Sequence, residues 1–193
     1  INLQSGHFVH KGTLSVGNIN HNGGGSTILD AGLSVATVQT QCQMDAAAWA
    51  LIPANDSFVG APFSYTLQYT APAGLAVFTL PATTLCAANN TLQLNVPAGK
   101  TVLINVTGTN IAVGGGVNLA GIGWTTVGFG RILWNFPQAT SIDFNGLAMK
   151  GAVLAPYAST TGGAVFDGAF CAKSYTGARE FHRLASAAGD HRR

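Results

Sequence analysis

A chain of 193 residues is long enough to bury a sizeable core, and no internal stretch has the composition of a linker. Hydrophobic residues at 47% exclude a disordered chain, while charged residues at only 8% leave a surface made of Thr, Ser, Asn, Gln and Gly. A net charge of +2 is too mild for a nucleic-acid binder, and no apolar run approaches the roughly 20 residues of a membrane span.

Residues 1–30 read as short strands, of which Gly12-Thr-Leu-Ser-Val16 is the clearest, ending in the turn Asn22-Gly-Gly-Gly-Ser26. His7, His10 and His21 fall in this region without a nearby carboxylate or Cys, so they read as strand and turn residues rather than metal ligands. From Ser34 to Ile52 the period changes. Val35, Val38, Cys42, Ala46, Trp49 and Ile52 recur at steps of three and four, which predicts an amphipathic helix capped by Ser34 and ended by Pro53. Trp49 is the expected anchor of that helix on the rest of the protein.

Beyond the helix, Tyr65–Tyr69, Ala76–Leu80, Thr91–Val96 and Thr101–Val106 read as strands, with Thr101, Asn105 and Thr107 as an exposed polar row. Gly114-Gly-Gly116 is a turn. It lacks the Lys-Ser/Thr and the strand-to-helix context of a phosphate loop. In the last third, strands are predicted at Arg131–Phe136, Ser141–Phe144, Ala152–Ala155, Ala164–Phe166 and Ala169–Lys173, separated by Gly, Asn and Pro turns. Short apolar runs at intervals of about fifteen to twenty residues read as the stacked turns of a β-solenoid. The fold expected is mainly β: one solenoid domain over residues 1–193, with N-terminal strands in 1–30, one flanking helix at about 34–52, and a basic tail at 183–193.

Cys42, Cys86 and Cys171 have no CxxC spacing, which argues against zinc. Either three thiols stay reduced, or one disulfide forms, with Cys42–Cys86 and Cys86–Cys171 as pairs and one Cys left over, free or linking subunits. The seven acidic residues are scattered without a paired motif, and no G-x-S-x-G elbow occurs. No cofactor motif is present. Ile1 in place of Met reads as a processed or trimmed start, and no sorting motif marks the C-terminus.

Three blocks stand together: Arg131-Ile-Leu-Trp-Asn-Phe-Pro-Gln-Ala-Thr140, then Gly151-Ala-Val-Leu-Ala-Pro-Tyr157, then Ala172-Lys-Ser-Tyr-Thr-Gly177 with Glu180-Phe-His182. In that order they resemble the choice-of-anchor A domains of secreted and cell-surface bacterial proteins, in which blocks reading roughly LWNFP-AT, G-VLAP-A and AKS-TG--EFH follow one another. Ile52-Pro-Ala-Asn55 is similar to the LPAN that follows a helix in that family. The resemblance covers residues 35–184 and implies a secreted, non-catalytic, adhesive module. It also implies structural roles for Trp134, Asn135, Phe136, Pro137, Leu154, Ala155, Pro156, Lys173, Ser174, Glu180 and His182. A looser similarity links the chain to ice-binding proteins, whose solenoid is likewise flanked by one helix.

The function expected is therefore extracellular and structural or adhesive, in surface adhesion or a biofilm matrix, with other copies of the chain or matrix components as partners. A sub-reading has copies stacking into a filament through residues 1–30 and 171–193. The rival class is binding of glycan, through exposed aromatics such as Trp124 or Tyr157, or of ice. Against ice, Thr13, Thr27, Thr140, Thr160 and Thr161 show no regular period. A hydrolase would rest on Asp143, Glu180 and His182 alone.

Overall fold

A computed structural model describes residues 2–3, 8–10, 19–21, 26–32, 34–70 and 74–182. Four short strands come first: β1 (Asn2–Leu3), β2 (Phe8–His10), β3 (Asn20–His21) and β4 (Thr27–Leu29). Helix α1 (Val35–Ala50) follows, then β5 (Ser57–Ala61), β6 (Ser64–Gln68), β7 (Leu75–Pro81) and α2 (Ala82–Cys86). Next are β8 (Thr91–Asn95), β9 (Thr101–Thr107), β10 (Asn110–Ala112), β11 (Asn118–Ala120) and α3 (Gly123–Val127). The chain closes with β12 (Ile132–Asn135), β13 (Ser141–Asp143), β14 (Met149–Lys150), β15 (Ala152–Thr161), β16 (Val165–Asp167), β17 (Phe170–Thr176) and β18 (Glu180–His182). The fold is mainly β, and among the described residues every strand pair apart from the β5–β6 hairpin is parallel.

Three walls of strands share one apolar core. In the first wall, β7, β9, β12 and the opening halves of β15 and β17 run side by side. Strand alternation points every second residue inward, so Phe78, Ile104, Trp134, Val153 and Phe170 form one inward row. The second wall joins β10 and β13 to the closing halves of β15 and β17, with Ile111, Ile142, Thr160 and Tyr175 turned inward. The third comprises β5, β6, β8 and β11, and a separate ladder of β14, β16 and β18. Leu92 and Leu119 are its inward pair in the first part, and Met149, Phe166 and Phe181 its inward row in the second.

Aromatic packing ties the walls together. Trp124 and Trp134, both fully buried, stack at 5.6 Å between ring centroids. Phe144, Phe166, Phe170, Tyr175 and Phe181 form a second aromatic cluster with edge-to-face contacts down to 4.9 Å. Gly123 lets α3 approach β8, since a Cβ there would sit 1.5 Å from the Leu94 carbonyl oxygen.

Helix α1 lies on the outer face of the first wall, and Ser34 caps it by accepting from the Thr37 N–H at 3.2 Å. The apolar stripe does not set how it docks. Val35 and Val38 are more than half exposed and Trp49 is 37% exposed, whereas Ala46 is fully buried. A flat sheet face admits a close helix only through small residues, so Ala46 and Cys42 make the approach and Trp49 is left at the rim.

Polar bonds complete the contact. Asn135 Nδ2 donates to the Ala46 carbonyl at 3.0 Å, and Asn105 Nδ2 to the Trp49 carbonyl at 3.1 Å. Asn105 is thus buried beneath the helix and does not belong to an exposed polar row.

A disulfide joins Cys42 on α1 to Cys171 on β17, and Cys86 is free and half-buried. Neither pairing expected from sequence forms. The helix crosses back over the stacked strands, bringing together residues 129 positions apart.

The ends of the stack differ. At β7, Asn55 occupies the strand edge: its N–H donates to the Val77 carbonyl at 3.1 Å, its Oδ1 accepts from the Val77 N–H at 2.8 Å, and its Nδ2 donates to the Leu75 carbonyl at 3.0 Å. At the other end, β1 lies against β18 and pairs with β3. The expected strand at 12–16 and the basic tail at 183–193 lie outside the described residues. Among the described residues, no helix is long and apolar enough to cross a membrane.

Candidate binding surface

The second wall presents two outward columns, one residue per strand. Asn110, Ser141, Ser159 and Ser174 stand in register in one column, and Ala112, Asp143, Thr161 and Thr176 in the other. All eight are exposed. Parallel strands stack about 4.8 Å apart and alternate residues along a strand lie about 6.7 Å apart, so the columns form a regularly spaced grid.

The Asn110 amide oxygen gathers two hydroxyls at the edge of the grid. Ser141 Oγ donates to Asn110 Oδ1 at 3.0 Å, and Thr140 Oγ1 donates to the same oxygen at 3.2 Å. Asp143 Oδ1 accepts from the Asn145 N–H at 2.9 Å, holding the turn that leaves β13. Sequence reading missed this array because the loops between strands are unequal in length. The only signal was a polar residue at alternate positions of each short strand.

β15 belongs to two walls, and the bend between them is a bulge. Ala155 pairs with Ala172 and Ser159 with Ser174, so Pro156, Tyr157 and Ala158 together oppose the single Lys173. Such a bulge re-aims side chains and tolerates a proline inside a strand. It turns Tyr157 outward, 43% exposed, and releases the Pro156 carbonyl to accept from Gln39 Nε2 on α1. Between α1 and this corner lies an open groove of about 590 Å³, with Val35 and Pro156 as apolar lining and Gln43, Thr140, Tyr157 and Lys173 at its polar side. Three of the lining residues, Thr140, Tyr157 and Lys173, precede or flank the serines of the grid, so groove and grid are continuous.

The remaining motif residues fall into two groups. Trp134, Asn135 and Phe136 are buried, with Trp134 Nε1 donating to the Lys150 carbonyl at 2.9 Å, and β12 ends at Asn135, before Pro137. Leu154 lies in register with Asn135 on the helix side, while Ala155 joins the main core. The Ser174 carbonyl accepts from Thr160 Oγ1 at 2.7 Å. Trp124, expected among exposed aromatics, is instead fully buried, its Nε1 donating to the Leu92 carbonyl at 3.2 Å.

Glu180 and His182 meet at β18, but their third member is Asp167 of β16: His182 Nδ1 lies 2.7 Å from Asp167 Oδ1, and Nε2 3.3 Å from Glu180 Oε2. Asp143 sits on β13 in a different wall. Burial raises the Tyr175 phenol above its ordinary value of 10.0, partly opposed by the charge of Arg179, and its hydroxyl donates to the Gly162 carbonyl at 3.1 Å. Among the described residues no group of three or more His, Cys, Asp or Glu is arranged to hold a metal ion.

A family model described as "Putative Ice-binding-like adhesive domain" matches residues 1–183. That description does not carry the choice-of-anchor A name, although the three motif blocks fall inside the matched span. No curated protein and no solved structure matches the chain.

Proposed function

The chain belongs to this family of ice-binding-like adhesive domains, and from that premise we propose a non-catalytic extracellular module that adheres to a repetitive, hydroxylated surface through its second wall. The observation that carries the reading is the grid of two exposed columns, Asn110–Ser141–Ser159–Ser174 and Ala112–Asp143–Thr161–Thr176. Each Ser or Thr hydroxyl both donates and accepts, and each is borne on a strand laddered to its neighbours. Binding therefore orders little that is not already ordered, and many weak contacts add along the grid. The Cys42–Cys171 disulfide favours an oxidising, extracellular setting. The separation of Asp143 from Glu180 and His182 argues against the hydrolase reading. We read the three walls as the faces of a β-solenoid, each turn of the chain passing from wall to wall, and the ordered motif blocks as kinship with choice-of-anchor A domains.

The surface favoured is a polysaccharide of a cell wall or matrix. Ice is the second reading, supported by the regular spacing of the grid and by the family description, but Asp143 sets a carboxylate and Asn110 an amide where an ice plane asks for uniform uncharged Thr. The test is adsorption of the protein to microcrystalline cellulose and, in parallel, thermal hysteresis. The double substitution Ser159→Lys and Thr161→Lys puts two long charged side chains at neighbouring grid positions of one strand, on either side of the inward Thr160. It is expected to lower adsorption at least about tenfold, equivalent to about 1.4 kcal/mol. Adsorption unchanged in that variant overturns the proposal; hysteresis in the native protein, lost in the variant, transfers the grid to ice.

Assembly into a filament of a biofilm matrix is the finer role we infer, with residues 1–30 and 171–193 as the joining elements of successive copies. Regular fibres in negative-stain micrographs at high protein concentration support it. Single particles alone end it.

A further inference from the structure

We propose that the groove between α1 and the bulge of β15 is a binding site for a single acidic sugar unit, a uronate, at one margin of the adhesive wall; this rests on the adhesive reading of that wall. The groove is built by specific structure and is not a gap left by loose packing. The bulge places three residues opposite Lys173, and the Gln39 bond to the Pro156 carbonyl fixes the helix against it. Its about 590 Å³ suits one or two pyranose rings.

Its chemistry is that of a sugar site. Tyr157 offers an exposed ring at the mouth, on which the apolar C–H face of a pyranose can stack. Gln43 and Thr140 supply donors and acceptors for ring hydroxyls. Lys173, exposed on β17, makes no ion pair among the described residues, although charged side chains are scarce in this protein. An unpaired ammonium beside an aromatic and two neutral polar groups selects a carboxylate-bearing sugar over a neutral one. The continuity of the groove with Ser141, Ser159 and Ser174 lets the rest of a chain lie across the grid.

The experiment is titration by heteronuclear NMR and calorimetry with tri-galacturonate, and with cellotriose as the neutral comparator. Tri-galacturonate is expected to shift the resonances of Tyr157, Thr140 and Lys173 and to bind about tenfold more tightly than cellotriose. Tyr157→Ala is expected to weaken both ligands, and Lys173→Gln to remove the preference for the uronate. Because both side chains are exposed, both variants are expected to keep the native melting temperature. No saturable shift at these residues, or an unchanged preference in Lys173→Gln, overturns the proposal. The variant with Lys at Ser159 and Thr161 separates the two ideas. Cellulose adsorption lost there, with no uronate binding in the native protein, sinks the groove and keeps the wall; uronate binding with grid-independent adsorption sinks the wall and keeps the groove.

Discussion

Asn135 shows how a single polar residue can decide the placement of a whole element. It is fully buried in a sheet whose neighbours are Leu, Trp and Phe, and its Nδ2 spans Ala46 on the helix and Asn105 Oδ1 on the adjacent strand at 2.8 Å. Asn105 in turn holds the Trp49 carbonyl, so two strands grip successive turns of α1. Asn135→Ala leaves the buried Asn105 Oδ1 without its donor, an orphan that costs about 1–3 kcal/mol, while the Ala46 carbonyl keeps its place in the helix ladder. Urea denaturation is expected to show a loss of about 1–3 kcal/mol with an unchanged slope. The Trp134-Asn-Phe-Pro137 block was legible as architecture from sequence, but what Asn135 holds was not, because its partner lies 89 residues away.

At the scale of elements, α1 was predicted correctly in type and nearly in extent, with its Ser34 cap, because a cap and a period are local properties. Its buried face was not. The sheet beneath it accepts Ala46 and Cys42, and the larger Val35, Val38 and Trp49 stay at the periphery, Val35 as part of the groove lining. The disulfide ties this helix to β17 across a loop of 129 positions, which in the chain-entropy view contributes about 4–5 kcal/mol by restricting the unfolded chain. Replacing Cys42 with Ser is therefore expected to lower the melting temperature under non-reducing conditions to that of the reduced native protein. A variant that melts as the oxidised protein does would show that the bridge contributes nothing. Short elements such as α2, α3, β10, β11 and β14 escaped sequence reading, since two to five residues carry too little periodicity to stand out.

At the scale of the whole molecule, three walls divide the work. The first is sealed by α1, the third carries the Asp167–His182–Glu180 cluster, and the second leaves its hydroxyls to solvent. With few charges anywhere, the proposed adhesion through the grid is expected to depend on hydrogen bonds and to be little screened by salt, and the proposed uronate binding at Lys173 is expected to weaken as ionic strength rises. Composition, alternation and the ordered motif blocks determined by themselves that the chain is mainly β with one long outer helix, and pointed to a structural role for the Trp134–Pro137 block. These are properties of residues near one another along the chain, or of their average character. Only the tertiary structure decided that Cys42 meets Cys171, that Asn105 lies under the helix, that Trp124 is buried while Tyr157 is presented, and that scattered Ser and Thr residues line up as a grid. Each of those depends on which strands stack in register, and register across loops of unequal length is set by the packing of the shared core rather than by any interval in the sequence.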